Sequence, residues 1–450
     1  MVAEPDFERI THDAVGLLEL LCRQPSVSAQ GQALEETADL VEQLLAEAGF
    51  ETRQLRADDG APAVYGEQPG RSAYTLLLYN HYDVQPVDPL ELWETPPFEP
   101  SLRGGHFFAR GAADNKGELA VRLAVVRAFR ERGAGLPIGI RWIVLGEEEV
   151  GSTHFDEIVR RNVDLLRADG CLWEGTTARL SDGRPSIGLG VKGALMVRLD
   201  SRVLRRDAHS AAAAVAPSAA WRLVDALSTL RDRRGSVRIA GFHDSVQAPT
   251  EAESRALTDA SEAGERDLRE ELGTEFLDSL TGEAFRERSA FGPTCNISGV
   301  SSGYTGPGLK PTLTAEASAL LDLRLVPNQH PQEILELLRA HLRSEGFDDI
   351  EVTALGSAEA AGTPIGHPFV QRVAEVAREV SGSEPSITPR VAGTLPIVAS
   401  LERHVGVPGV AAPDNPIYDG ARAHAPNENV RLEDVGHSVR FTYALFEALA

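Results

Sequence analysis

The chain has 450 residues, enough for two or three hydrophobic cores, and an ordinary 42% hydrophobic content. Asp and Glu outnumber Lys and Arg by 67 to 44, a net charge of −23 that repels phosphate backbones and anionic lipid, so neither nucleic acid nor a membrane surface is an expected partner. No apolar run approaches the roughly 20 residues of a membrane-spanning helix.

The opening stretch, MVAEPDFERITHD, is acidic and lacks the basic flank and apolar segment of a secretory signal. Cys22, Cys171 and Cys295 have no framework spacing and read as reduced thiols, which makes the cytoplasm the expected address. Apolar positions at helical spacing predict helices over 7–23 and 32–48, the second closed by Gly49. TLLLY at 75–79 is too short for a helix and predicts a central strand. Residues 116–132 predict an amphipathic helix stopped by Gly133, followed by strands at IRWIVL (140–145) and CLW (171–173). Strands alternating with helices predict an α/β catalytic domain with a mixed, mostly parallel sheet flanked by helices.

From about residue 193 the pattern changes. Strands at MVRLDSRV, CNISGV, ASALLDLRLV and IEVTAL, with helices over 215–231 and 331–345, follow the order β-α-β-β-α-β of a ferredoxin-like unit. The expected division is 1–192 for the first part of the catalytic domain, 193–358 for an inserted domain, and 359–450 for the second part. The insertion includes an acidic, helical excursion at about 240–292 whose role the residues do not disclose.

Chemistry-bearing side chains gather where strands end. TLLLY runs into Asn80-His81-Tyr82-Asp83, IRWIVL into Glu147-Glu148-Glu149, and CLW into Glu174, which places them along the carboxyl edge of the sheet, where open α/β sheets bind ligands. Asp114 lies in the small-residue loop ARGAADNKG, and His424 lies late in the chain. Histidines and carboxylates without cysteine suit one or two divalent cations, zinc first, with manganese or cobalt as alternatives. Such cations offset the repulsion among the clustered carboxylates.

HYDVQP (81–86), W..PPFEP (93–100), ARGAADNKG (109–117), EEVGS (148–152), GVKGALM (190–196), RDAHS (206–210), TCNISG (294–299), GYTGPGLKP (303–311), DLRLVPNQ (322–329) and His424 together resemble the dinuclear zinc metallopeptidases. That family includes acetylornithine deacetylase, succinyl-diaminopimelate desuccinylase, aminoacylase, carboxypeptidase G and the carnosinase-like cytosolic dipeptidases. The resemblance covers most of the chain, and HYDVQP, TCNISG and RLVPNQ point to the dipeptidase branch. The chain's three lysines, Lys116, Lys192 and Lys310, all fall in matched segments.

The resemblance implies two zinc ions per subunit: His81 and Glu174 on one, Glu149 and His424 on the other, Asp114 bridging them. Asp83 would accept a hydrogen bond from the far nitrogen of His81, Glu148 would be the general base, and the Asp114-Asn115 peptide would be cis. The Glu-Glu-x-Gly-Ser pattern is met only by Glu148–Ser152, which leaves Glu147 as an extra surface acid. The inserted domain resembles a lid and dimerisation domain, implying a homodimer in which His209 crosses to the partner's site as an oxyanion stabiliser. Arg324 would grip a substrate carboxylate, and Thr394 would be a further substrate-binding residue.

Two segments depart from the pattern. HSAAAAVAPSAA (209–220) replaces a glycine-rich loop, and Ala392-Gly393-Thr394-Leu395-Pro396 replaces a Gly-Gly segment, so both add methyl groups near the expected substrate. The expected activity is metal-dependent cleavage of dipeptides or similar small substrates with a free carboxylate. The alternatives are an N-acyl or N-carbamoyl amino acid amidohydrolase and a catalytically silent binding relative.

Overall fold

The computed structural model describes residues 5–133, 135–175, 178–418 and 420–450. TLLLYNH forms the strand Thr75–His81 at the centre of an eight-stranded sheet. It runs parallel to Gly139–Leu145 on one side and to Gly170–Trp173 on the other, and Gly409–Ala411 extends the parallel run. Antiparallel strands Glu51–Leu55 and Ala63–Gln68 complete one edge; Ser186–Gly188 and Ser386–Thr388 complete the other.

The run of apolar residues in Thr75–His81 follows from burial on both faces, because successive side chains point opposite ways. Leu76 and Leu78 pack into one core with the helices Phe7–Cys22, Lys116–Glu131 and Leu432–Ala448. Leu77 and Tyr79 pack into a second core with Phe155–Arg161 and Pro396–His404. Gly133 adopts φ 70°, a left-handed conformation suited to the stop after Lys116–Glu131. No helix among the described residues is long and apolar enough to cross a membrane.

A separate four-stranded antiparallel sheet has the order Thr294–Ser302, Glu316–Leu325, Gly193–Arg202, Glu351–Ala358. The helices Ala219–Leu230 and Pro331–Ser344 cover one face over a third core, the ferredoxin-like arrangement predicted from strand and helix order. The first of these helices starts later than its periodicity suggested, because Pro217 precedes Ser218, whose side chain caps it by accepting from the Trp221 amide. The backbone crosses between the two sheets at Gly190–Val191 and Ala361–Gly362, which pair as a short antiparallel ribbon. The acidic excursion contains the helices Glu251–Asp259, Ala263–Leu272 and Gly282–Phe291.

Leu78 is fully buried. Leu78→Ala is expected to cost about 2–5 kcal/mol in urea denaturation, and a loss below about 1 kcal/mol contradicts tight packing on that face of the sheet.

Candidate metal centre

The register of the parallel strands sets the site. His81 stands opposite Leu145, and Leu78 opposite Leu172, so the chain leaves three adjacent strands at one edge within a few residues of each other. His81 Nε2 lies 3.0 Å from Asp114 Oδ1 and 2.9 Å from Glu174 Oε2. His424 Nε2 lies 3.0 Å from Asp114 Oδ2 and 3.2 Å from Glu149 Oε2. Asp114 thus offers one oxygen to each histidine. Donor atoms of His81, Asp114 and Glu149 lie within 4.8 Å of one another, as do those of His81, Glu148 and Glu174. His81 is fully buried, whereas the His424 side chain is 54% exposed, so the cluster opens to solvent on the His424 side.

His81 Nδ1 is 3.0 Å from the backbone carbonyl of Asp83, an acceptor only, so this nitrogen carries a proton. In a neutral ring Nε2 then presents a lone pair to two carboxylate oxygens, which repels unless a cation lies among them or the ring is protonated. Glu174 Oε2 is buried and makes no well-directed hydrogen bond despite its short distance to His81. These donors, nitrogen and oxygen with no sulfur, fit a pair of divalent cations sharing Asp114.

Protonation records the same crowding. Burial and the Glu174 charge push Glu148 up to about 9. Burial also raises Glu174, against the opposing pull of His81. Hydrogen bonds to Asp114 and Glu149 raise His424 to about 10. Burial would raise Asp114, but its hydrogen bonds to His424 and His81 prevail and hold it low.

The Asp83 carboxylate stands between His81 and the glutamate turn. It lies 3.4 Å from His81 Nδ1, farther than its own backbone carbonyl, and accepts the amides of Glu148 (3.1 Å) and Glu149 (3.0 Å). It therefore pins the short turn Glu148–Val150 that aims both glutamates at the centre, and Gly151 closes that turn at φ 93°. The Asp114-Asn115 peptide is cis, as expected. Glu147 is not a surface acid: it is 5% exposed and accepts the His154 amide at 2.6 Å, with His154 Nδ1 2.9 Å away. Its carboxylate finds local donors after the strand ends, so it turns inward.

Arg324 and Thr394 are brought together, with Arg324 Nη1 donating to Thr394 Oγ1 at 2.8 Å. His209 is exposed and accepts the Ala211 amide on Nδ1, and among the described residues it makes no hydrogen bond or ion pair with the metal-centre side chains. Two contributors escaped the sequence reading. Gln85 donates to Glu149 Oε2 at 2.8 Å, and buried Glu428 accepts the amides of Gly111, Ala113 and Asp114 while pairing with Arg110 at 2.6 Å. Gln85 sits inside the HYDVQP segment, whose place at a strand end is a readable signal; Glu428 lies in an irregular loop with no periodic signal.

The model of peptidase family M20/M25/M40 matches residues 77–448. The crystal structure of an M20 family metallo-carboxypeptidase from Sulfolobus solfataricus is similar with a TM-score of 0.90 and 34% identity, covering 97% of this chain and 99% of that one. Among curated relatives, cysteinylglycine-S-conjugate dipeptidase of Corynebacterium striatum is 25% identical over 445 residues, 96% of this chain and 94% of the relative. Human Beta-Ala-His dipeptidase is 25% identical over 409 residues, 86% and 77% of the two chains.

Without cations, Glu148 holds its proton from its ordinary value up to about 9, and His424 from its ordinary value up to about 10. Each binds a proton more strongly folded than unfolded, so its contribution falls as pH rises through that window. The melting temperature of chelator-treated protein should therefore drop from pH 5 to pH 8, above which deprotonation of Lys116 and Lys192, both lowered to about 8 by burial, offsets the trend, and added divalent cation should flatten the drop. A flat curve without cation contradicts this account.

Proposed function

The chain belongs to peptidase family M20/M25/M40, and from that footing we propose that it hydrolyses the amide bond of dipeptides or similar small substrates that carry a free carboxylate. The observation that carries the reading is Asp114, one carboxylate held between His81 and His424 with Glu174 and Glu149 on either side. His81 and Glu174 would hold one cation and His424 and Glu149 the other, with Asp114 available to both; zinc suits the donor set best, with manganese or cobalt as alternatives. The chemistry such cations would supply, when bound, is a more acidic water and a polarised scissile carbonyl.

Glu148 receives the proton of the attacking water and delivers it to the leaving amine. Its place beside Glu149 lets one residue bind while its neighbour transfers protons. Arg324, steadied by Thr394, binds the substrate's free carboxylate through its remaining N–H groups. That clamp favours peptides and acyl amino acids ending in a carboxylate, and the dipeptidase names of the curated relatives favour the peptides.

A homodimer completes the site, with His209 of the partner subunit stabilising the developing oxyanion. Support comes from the four-stranded sheet, whose edge strand Thr294–Ser302 exposes Ile297 and Val300, and from the neighbouring helix, whose Trp221 is 69% exposed. The division at 192/193 and 358/359 makes residues 193–358 the lid. The three buried, unpaired cysteines suit a reducing cytoplasm.

A panel of dipeptides, a tripeptide and N-acetyl amino acids tests the reading: dipeptides should have the highest kcat/KM. Glu148→Gln should lower kcat by roughly 10²-fold or more with bound metal unchanged. Preference for N-acetyl amino acids favours the amidohydrolase alternative, and metal binding with no turnover of any substrate favours a silent relative.

A further inference from the structure

The acidic excursion has no role in the chemistry described so far, yet its ends are tied to the wall that carries Arg324 and Thr394. Glu253, in the first turn of Glu251–Asp259, forms an ion pair with Arg390 at 3.2 Å, and both side chains are largely buried, 17% and 16% exposed. The Arg390 guanidinium also lies 4.8 Å from the centre of the Phe291 ring, at the far end of the excursion. Gly292 accepts from Lys192 Nζ at 2.7 Å, and Lys192 is 3% exposed. Thr294, immediately after the excursion, accepts the Arg324 amide at 3.3 Å.

The other ends of these contacts converge. Arg390 begins the segment that reaches Thr394, and Val391 bridges Val191 of the crossing ribbon. The Lys192 amide donates to Gly393 at 3.1 Å, next to Thr394. Lys192 is lowered to about 8 by burial and then by the charge of Arg324. Asp322 holds the opposite side of the Arg324 guanidinium, 3.0 Å from Nε and from Nη2. On its outer side the excursion is anchored to the large sheet: the Ser261 amide donates to Ser386 at 3.1 Å, and Arg184 donates to Asp259 O at 2.9 Å.

We propose that the 240–292 excursion is a brace that positions Thr394 and Arg324 for the substrate carboxylate, acting through the Glu253–Arg390 ion pair and the Lys192–Gly292 hydrogen bond. Glu253, Arg390 and Lys192 are positioning residues: they fix the segment 390–394 without touching the reacting atoms. The inference rests on the reading of Arg324 and Thr394 as the carboxylate clamp. It explains why Arg390 and Lys192 are withdrawn from solvent although neither pairs with a metal-centre side chain among the described residues, since each attaches the excursion to a segment that ends at the clamp. A loose clamp weakens binding of the carboxylate without altering proton transfer at Glu148.

The test uses the full-length, metal-loaded protein with Glu253→Gln, Arg390→Gln and Arg390→Lys. Gln at 253 keeps an acceptor for the Thr250 amide, which Glu253 now caps, and removes only the charge. For free dipeptides the two Gln variants should raise KM roughly tenfold with kcat within about twofold, and Arg390→Lys should recover most of the loss. For the same dipeptides with an amidated C-terminus, KM should not move. Unchanged KM in both Gln variants overturns the brace, as does an equal rise for free and amidated substrates. Hydrogen exchange at 389–395 provides a readout independent of turnover: faster exchange in the variants is expected, and unchanged exchange overturns the brace. If the wild type cleaves no carboxylate-bearing peptide, the functional reading fails by itself, and the exchange result still decides whether the brace exists.

Discussion

One carboxylate shared between two imidazoles sets the terms for the rest of the structure. Asp114 meets His81 with one oxygen and His424 with the other, and these histidines come from chain positions 343 residues apart (424 − 81). Around them stand Glu148, Glu149, Glu174 and Asp83, more negative charge than two rings can balance. Burying such a group costs several kcal/mol per uncompensated ion, so the cluster needs positive charge at its centre. Cations bound there would be reached from the His424 side, where substrate has access.

Holding Asp114 and His81 in place requires a rigid floor, and a buried polar network supplies it. Asn80 and Asn115, each adjacent to one of these residues, both donate to Glu118. Arg122, fully buried, donates to Asn80, Glu118, Asp414 and the carbonyl of Tyr79. Glu428 fixes the Asp114 loop from the other side through three backbone amides. Asn80, Asn115, Glu118 and Arg122 bond to one another in this floor, although Asp414 Oδ1 and Arg110 Nε are left without hydrogen-bond partners, and the linked groups favour one arrangement of the side chains above them. The Asp83 carboxylate does the same for the turn bearing Glu148 and Glu149.

Elements with a strong period were legible in the sequence. Thr75–His81, Gly139–Leu145 and Lys116–Glu131 declared themselves by length, apolar pattern and a terminal glycine, and the strand ends then located His81, Glu149 and Glu174. The edge strands Glu51–Leu55 and Ser386–Thr388 were not foreseen, because edge strands are short or polar and carry little periodicity, and Ser186–Gly188, an inner strand of three residues, is too short to show any period. Glu147 was misread since a glutamate in a loop is usually solvated; only the fold brings His154 to it. Glu428 and Arg122 were silent for a related reason: a buried charge looks like a surface charge until its partner, hundreds of residues away, is placed beside it.

The central claim is that two cations, sharing Asp114, hold this acidic cluster together. Counting bound metal per chain by elemental analysis after zinc reconstitution tests it most directly, in the wild type and in His424→Ala and Asp114→Ala. The account predicts two ions in the wild type, one when His424 is removed, and a loss of both from Asp114→Ala. Wild-type protein that retains none, or an unchanged count in Asp114→Ala, contradicts it.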